Sequence, residues 1–260
     1  MINLKKEGNK ITKLFDAHLH IIDPVFPLIE NEGFQPEPFT CDDYMQKMKK
    51  IELAGGAVVS GSFQGHDQTY LVEALRKLGG NFAGVTQIPH DTSEEEIINL
   101  HEAGVRAVRF NLRRGGRADV TSMRQLADKV YMTAGWHAEI YADAKNLNDQ
   151  ASDILKMPAV SLDHLGLSRE GFRNVLYFAE KGVKIKASGF GRVDFDVVKA
   201  VKEIYQANPE ALMFGTDLPS TRAERPYSHA DIDVIYEALT EREAEDVLFK
   251  NALTWYRKGI

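Results

Sequence analysis

Lys13-Leu14-Phe15-Asp16-Ala17-His18-Leu19-His20 is an apolar run that ends in two histidines one residue apart, and it decides how the chain is read. A strand that opens a doubly wound nucleotide-binding sheet runs into a glycine-rich turn. This one ends in His18-Leu19-His20, with no G-x-G-x-x-G. Period-2 geometry puts both imidazoles on one face of a strand, and a converging imidazole pair suits a zinc-like ion.

Seven further apolar runs follow the opening strand Lys13–His18: Ala57–Phe63, Phe82–Ile88, Ala107–Leu112, His137–Ala142, Ala159–Asp163, Val183–Ala187 and Leu212–Thr216. Segments of helical period separate them, at Asp42–Leu53, Thr69–Leu78, Ser93–Ala103, Val120–Ala134, Asn146–Lys156, Arg169–Lys181 and Asp194–Ala207, with Asp231–Leu239 and Arg242–Tyr256 after the last strand. Short apolar runs alternating with helices imply parallel strands with crossover connections. Ser168 is placed to cap the helix from Arg169, and Gly182 to end it. With no linker or composition break, residues 1–260 are expected to form one α/β domain, a (β/α)8 TIM barrel.

The chain has 260 residues, 43% hydrophobic and 27% charged, with a net charge of −6. That balance argues against a nucleic-acid partner, which calls for a concentrated basic surface. The first residues contain no apolar signal core and no run is long enough to span a bilayer, so no membrane association and a cytoplasmic location are expected. The single cysteine, Cys41, forms no internal disulfide and suits a reducing compartment. It stands at a helix start, where a lowered thiol pKa is one reading and a cap neighbour without function the other. A barrel's helical exterior leaves the oligomeric state open.

In a (β/α)8 enzyme the chemistry sits at the C-terminal ends of the strands. The polar residues there include His18 and His20 on strand one, Gln64 and His66 after strand two, Arg109 with Arg113, Arg114 and Arg117 on and after strand four, and Tyr141 and Asp143 on strand five. Asp163-His164 ends strand six, Lys186-Ala187-Ser188-Gly189-Phe190-Gly191-Arg192 follows strand seven, and Asp217 ends strand eight, with Arg222 and Arg225 beyond it. His90, His101 and His229 are read as rim, structural or solvated groups. Arginine gathered on one rim of a net-acidic protein suggests an anionic small-molecule substrate, since guanidinium pairs bidentately with carboxylate.

Phe15-Asp16-Ala17-His18-Leu19-His20, Leu162-Asp163-His164-Leu165-Gly166 and Phe214-Gly215-Thr216-Asp217-Leu218-Pro219, in that order along the chain, resemble the amidohydrolase superfamily, and within it the branch of pyrone-dicarboxylate and sugar lactonases. The resemblance implies that His18, His20, His164 and Asp217 form the catalytic set and hold one divalent metal, zinc or manganese, although some lactonase members work without one. It implies that Asp217 takes a proton from the attacking water and that the segment with Lys186 and Arg192 binds carboxylate. Arg109, Arg113, Arg192, Tyr141 and Gln64 are the expected substrate-binding residues. The sequence departs from the fuller metal pattern at strand five, where Tyr141 stands at the usual ligand position. His137 lies ~13 Å deeper at about 3.3 Å per residue, which places it in the lower barrel. The expected activity is hydrolysis of a small carboxylate-bearing lactone. The alternatives are a metal-dependent decarboxylase of an aromatic or enoic acid and a non-catalytic barrel that binds an anionic metabolite.

Overall fold

The structure is a computed structural model that describes residues 13–31, 33–113 and 119–257. Eight parallel strands pair in sequence order, β1 (Lys13–Leu19), β2 (Glu52–Val59), β3 (Phe82–Thr86), β4 (Val105–Asn111), β5 (His137–Tyr141), β6 (Val160–Leu162), β7 (Lys184–Ala187) and β8 (Leu212–Phe214). Around them lie α1 (Cys41–Met48), α2 (Thr69–Leu78), α3 (Glu94–Glu102), α4 (Val120–Ala134), α5 (Ala151–Ile154), α6 (Phe172–Glu180), α7 (Val197–Ala207), α8 (Ala230–Ala238), α9 (Glu241–Glu245) and α10 (Asn251–Arg257). This is the expected (β/α)8 barrel. Among the described residues, no helix is long and apolar enough to cross a membrane.

β8 is too short to form a ladder with β1, so the barrel closes just beyond it. Asp217 N–H donates to the His18 carbonyl at 2.7 Å, and His20 N–H donates to the Leu218 carbonyl at 2.7 Å. Two apolar layers fill the fold. One lies between strands and helices, and the other fills the lower barrel with Phe15, Ala17, Val59, Val85 and Met213 over Tyr256 of α10.

Phe15 and Ala17 face the barrel axis, and strict alternation would then turn His18 and His20 outward. The ladder breaks there. From Asp16 to Leu19, β1 advances three residues while β2 advances only from Gly56 to Val58. The extra residue is a β-bulge, a device that re-aims side chains beside active sites. It brings both imidazoles back to the axis at the mouth.

Several expected boundaries move. The first helix ends at Met48 and β2 begins at Glu52, five residues before Ala57. Gly55 and Gly56 weaken the strand signal, yet they are needed. A Cβ on Gly55, at φ +152°, would lie 2.1 Å from the Asn81 carbonyl oxygen and 2.9 Å from the Phe15 ring. The expected helix Asn146–Lys156 is a 3₁₀ segment (Ala144–Gln150) followed by the single turn of α5. α6 starts at Phe172 rather than Arg169, because Ser168 Oγ accepts from Gly171 N–H in a turn ahead of the helix. The last helix is divided by a π segment, Asp246–Lys250. Cys41 is buried at the start of α1, and burial pushes its thiol up to about 11, which removes the reactive-thiol reading.

Candidate active site

His18 and His20 from β1, His164 after β6 and Asp217 after β8 are all buried and meet at the C-terminal mouth. Their Nε2 atoms lie 3.9, 3.5 and 3.9 Å from Asp217 Oδ1 for His18, His20 and His164 respectively. His164 and Asp217 occupy left-handed backbone, with φ of 51° and 59°, a conformation sparsely used by non-glycine residues and found where structure holds a functional group in place.

The opposite nitrogen of each ring is occupied. His20 Nδ1 lies 2.7 Å from the Val59 carbonyl oxygen, which only accepts, so Nδ1 carries the proton and a neutral ring turns its Nε2 lone pair on Asp217. His164 Nδ1 is 3.0 Å from Ser188 Oγ, a partner that can donate or accept. His18 Nδ1 sits 3.4 Å from Asp163 Oδ1 and 3.4 Å from Lys186 Nζ. Burial, partly opposed by Asp163, pushes the His18 ring down to about 3, and burial holds His164 well below the usual histidine range, so both are neutral near pH 7. For Asp217 burial works the other way, but the Arg192 guanidinium holds its carboxyl well below the usual range.

His18 Nε2 and Asp217 Oδ1 are buried without a hydrogen-bond partner among the described residues. The His20 Nε2 lone pair and Asp217 Oδ1, 3.5 Å apart, repel unless a cation or a proton lies between them. Ligand atoms of His18, His20 and Asp217 all fall within 4.8 Å of one another. Two imidazoles and a carboxylate, with the distal ring nitrogens held by a carbonyl and a carboxylate, are a fitting donor set for a divalent ion. A second grouping, His18 with Asp163 and His164, meets the same spacing. It is the poorer cation site. Arg109 already grips Asp163 Oδ2 through Nε at 3.0 Å and Nη2 at 2.8 Å, and Lys186 Nζ stands 3.7 Å from Oδ1.

Above this centre is a narrow cleft lined by His20, Phe63, Arg109, Tyr141, Arg192 and Arg222, among others. A larger hollow opens at the opposite end and touches only His137 of the site's buried network. The smaller cleft is the one that holds the converging groups, at the strand ends where barrels of this kind carry their sites. Arg192 Nε donates to Asp217 Oδ2 at 2.6 Å and Nη2 to the Thr221 carbonyl at 2.7 Å. Arg109 gives Nη1 to the Ser60 carbonyl at 2.9 Å, and its guanidinium carbon lies 4.9 Å from the Tyr141 ring centre. Tyr141 stands edge-on to His164 at 5.2 Å.

Gln64 and Arg113 stand elsewhere. The Gln64 side chain accepts from Gly61 N–H and donates to the Ile21 carbonyl, tying two loops together while Ser62 and Phe63 form the cleft wall. Arg113 is exposed over a neighbouring hollow with Asp143 and Lys145. Arg114 and Arg117 lie outside the described residues. Arg225 pairs with Asp231 at 2.9 Å. Lys186, expected in a carboxylate-binding segment, is fully buried against Glu139. Glu139 also accepts from Tyr256 OH at 2.6 Å and meets His137 Nε2 at 3.0 Å, so His137 belongs to the lower barrel as expected. Sequence reasoning missed that Arg109, Asp163, Lys186 and Glu139 form a charge-balanced buried layer. Two acids and two bases at inward strand positions were its only signal.

Residues 15–258 match the amidohydrolase family. The chain is 27% identical over 236 residues to 2-pyrone-4,6-dicarboxylate hydrolase of Comamonas testosteroni, covering 78% of this chain and 76% of that protein. It is 23% identical over 260 residues to 4-sulfomuconolactone hydrolase of Rhizobium radiobacter, covering 92% and 86%. A crystal structure of a probable 2-pyrone-4,6-dicarboxylic acid hydrolase from Acinetobacter baumannii, with citric acid bound, superposes with a TM-score of 0.82 at 20% identity, over 94% of this chain and 98% of that one.

Proposed function

Since this chain belongs to the amidohydrolase family, we propose that it hydrolyses a small lactone bearing at least one carboxylate, by attack of water on the ring carbonyl. The observation that carries the reading is the unpartnered Asp217 Oδ1, ringed by three imidazole Nε2 atoms beneath an arginine-walled cleft. The two relatives, named as hydrolases of a pyrone dicarboxylate and of a sulfomuconolactone, support the substrate class.

Asp217 is anionic at neutral pH, and Oδ2 is occupied by Arg192, so Oδ1 is the atom that accepts the proton of the attacking water. His20, with its proton fixed on Nδ1 by Val59, orients rather than donates. His164 has the freer tautomer. When Ser188 donates to its Nδ1, its Nε2–H can donate to the carbonyl oxygen as negative charge develops there. Arg192 and Arg109, with Tyr141 stacked beneath, form the wall against which a substrate carboxylate is held. A zinc or manganese ion held by His18, His20 and Asp217, with His164 beside them, would supply charge that polarises the carbonyl and acidifies water.

The test is hydrolysis of 2-pyrone-4,6-dicarboxylate, a 2-pyrone monocarboxylate and unsubstituted 2-pyrone by chelated protein, then with zinc or manganese restored. The carboxylated lactones should turn over at least 100-fold more efficiently than the neutral one. Equal turnover would discard the carboxylate requirement. Release of CO2 without ring opening would replace the reading with decarboxylation, and binding without turnover would replace it with a non-catalytic role.

A further inference from the structure

Asp16 is fully buried, lies outside the ring of groups around Asp217, and faces away from the cleft. Its carboxylate nevertheless gathers four donors. Oδ1 accepts from Thr216 N–H at 2.8 Å and His18 N–H at 3.2 Å, and Oδ2 accepts from Thr216 Oγ1 at 2.7 Å and Tyr44 OH at 3.1 Å. Thr216 Oγ1 in turn accepts from Leu218 N–H at 3.1 Å. Asp217 is therefore bracketed. The residue before it is fastened to Asp16 by main chain and side chain, and the residue after it is fastened to the same hydroxyl. These bonds lie where β1 and β8 have no regular ladder, and where Asp217 is held in left-handed backbone.

We propose that Asp16 is a positioning residue for the general base, fixing the Asp217 turn against the histidine-bearing strand through Thr216. The inference rests on Asp217 being the base. Charge-assisted bonds of this kind are shorter and stronger than neutral ones, and an error of about 1 Å in a reacting group costs about 100-fold in rate. The arrangement separates two bonds to one oxygen: Thr216 leads to the base, whereas Tyr44 leads to α1.

The experiment compares Thr216→Val with Tyr44→Phe in the full-length protein, each losing one hydroxyl to Asp16 Oδ2. On 2-pyrone-4,6-dicarboxylate, Thr216→Val should lower kcat by about 30- to 100-fold with KM changed less than about 3-fold. Thr216→Ser should restore most of the rate, and Tyr44→Phe should lose stability without losing kcat. Equal losses in Thr216→Val and Tyr44→Phe, or a loss confined to KM, overturn the proposal. If the wild-type protein is inert on every lactone, the hydrolase reading fails by itself, and amide hydrogen exchange decides the positioning role. Thr216→Val should then speed exchange at Asp217 and His20 at least 10-fold while β3 to β5 stay protected. Unchanged or uniformly faster exchange overturns it. Should Thr216→Val not fold, Asp16→Asn is read by the same measures.

Discussion

Replacing Arg192 with methionine keeps most of the stem and removes the one cation that touches Asp217 Oδ2, at 2.6 Å. Asp217 is fully buried, and two of the rings around it, His18 and His164, are neutral near pH 7. The variant thus leaves an uncompensated carboxylate in the interior, a change that costs about 3–5 kcal/mol. For a chain of this size that corresponds to a fall in Tm of roughly 6–20 °C. The pH dependence gives the sharper signature. In the wild type the folded carboxyl is held well below the ordinary aspartate value of about 3.9, so its stabilising contribution is complete above that pH and lost only as pH falls below it. Without Arg192 burial dominates and the folded carboxyl moves above the ordinary value, so the folded variant takes up a proton that the unfolded chain does not. The deficit must therefore shrink as pH falls from 7 towards 4. Urea unfolding of chelated protein, followed by circular dichroism between pH 4.5 and 7.5, measures it. Adding Asp217→Asn should recover much of the loss at pH 7. A deficit that is flat with pH, or a double variant no more stable than Arg192→Met, would refute the pairing argument.

Asp217→Asn should lower kcat by about 10²- to 10⁴-fold with near-ultraviolet circular dichroism unchanged, and activity above a tenth of wild type removes Asp217 as the base. His18 takes a proton near 6.5 when unfolded but only near 3 when folded, so its contribution to stability is present above pH 6.5 and is lost as pH falls towards 3. Its share of the slope is about 1.4 kcal/mol per pH unit, and His18→Asn should cut proton uptake on unfolding at pH 5 by about one. Titration calorimetry or the pH dependence of urea unfolding would show an unchanged slope if the ring is already protonated in the fold. Cys41, with its thiol raised to about 11, should resist iodoacetamide at pH 8 until urea unfolds the chain. Labelling of the folded protein at the unfolded rate would contradict its burial.

The barrel was legible because each strand is a short apolar run closed by glycine or a polar cluster, and because His18, His20, His164 and Asp217 fall at strand ends; the bulge that turns the two imidazoles of the first strand inward was not. Boundaries failed where tertiary contacts overrode local signals. Gly55 and Gly56 look like a break, yet they let β2 pass the Phe15 and Phe82 rings. The arginine rim was only partly legible. Spacing cannot tell that Arg109 also pairs with Asp163, that Arg192 rests on Asp217, or that Arg113 points to another hollow. Gln64 looked like a pocket residue because it follows a strand, but a buried amide first satisfies nearby backbone, as this one does at Gly61 and Ile21. The role of Asp16 was hidden for the same reason: its partner, Thr216, is 200 positions away.

The extra residue in β1 makes this protein tolerant of one class of genetic accident and intolerant of another. Most substitutions among the apolar side chains of the lower barrel change volume and cost stability by degrees. Deleting the single residue Ala17 instead restores an even ladder opposite Gly56–Val58, lengthens no cavity and removes no hydrogen-bonding side chain. It leaves Leu19 opposite Val58 and moves His18 into the inward place that Ala17 held, so both imidazoles still face the mouth. A one-residue deletion from an unbulged strand would instead swap the parity of everything beyond it, so the bulge is the place where a lost codon leaves the barrel's frame of two intact.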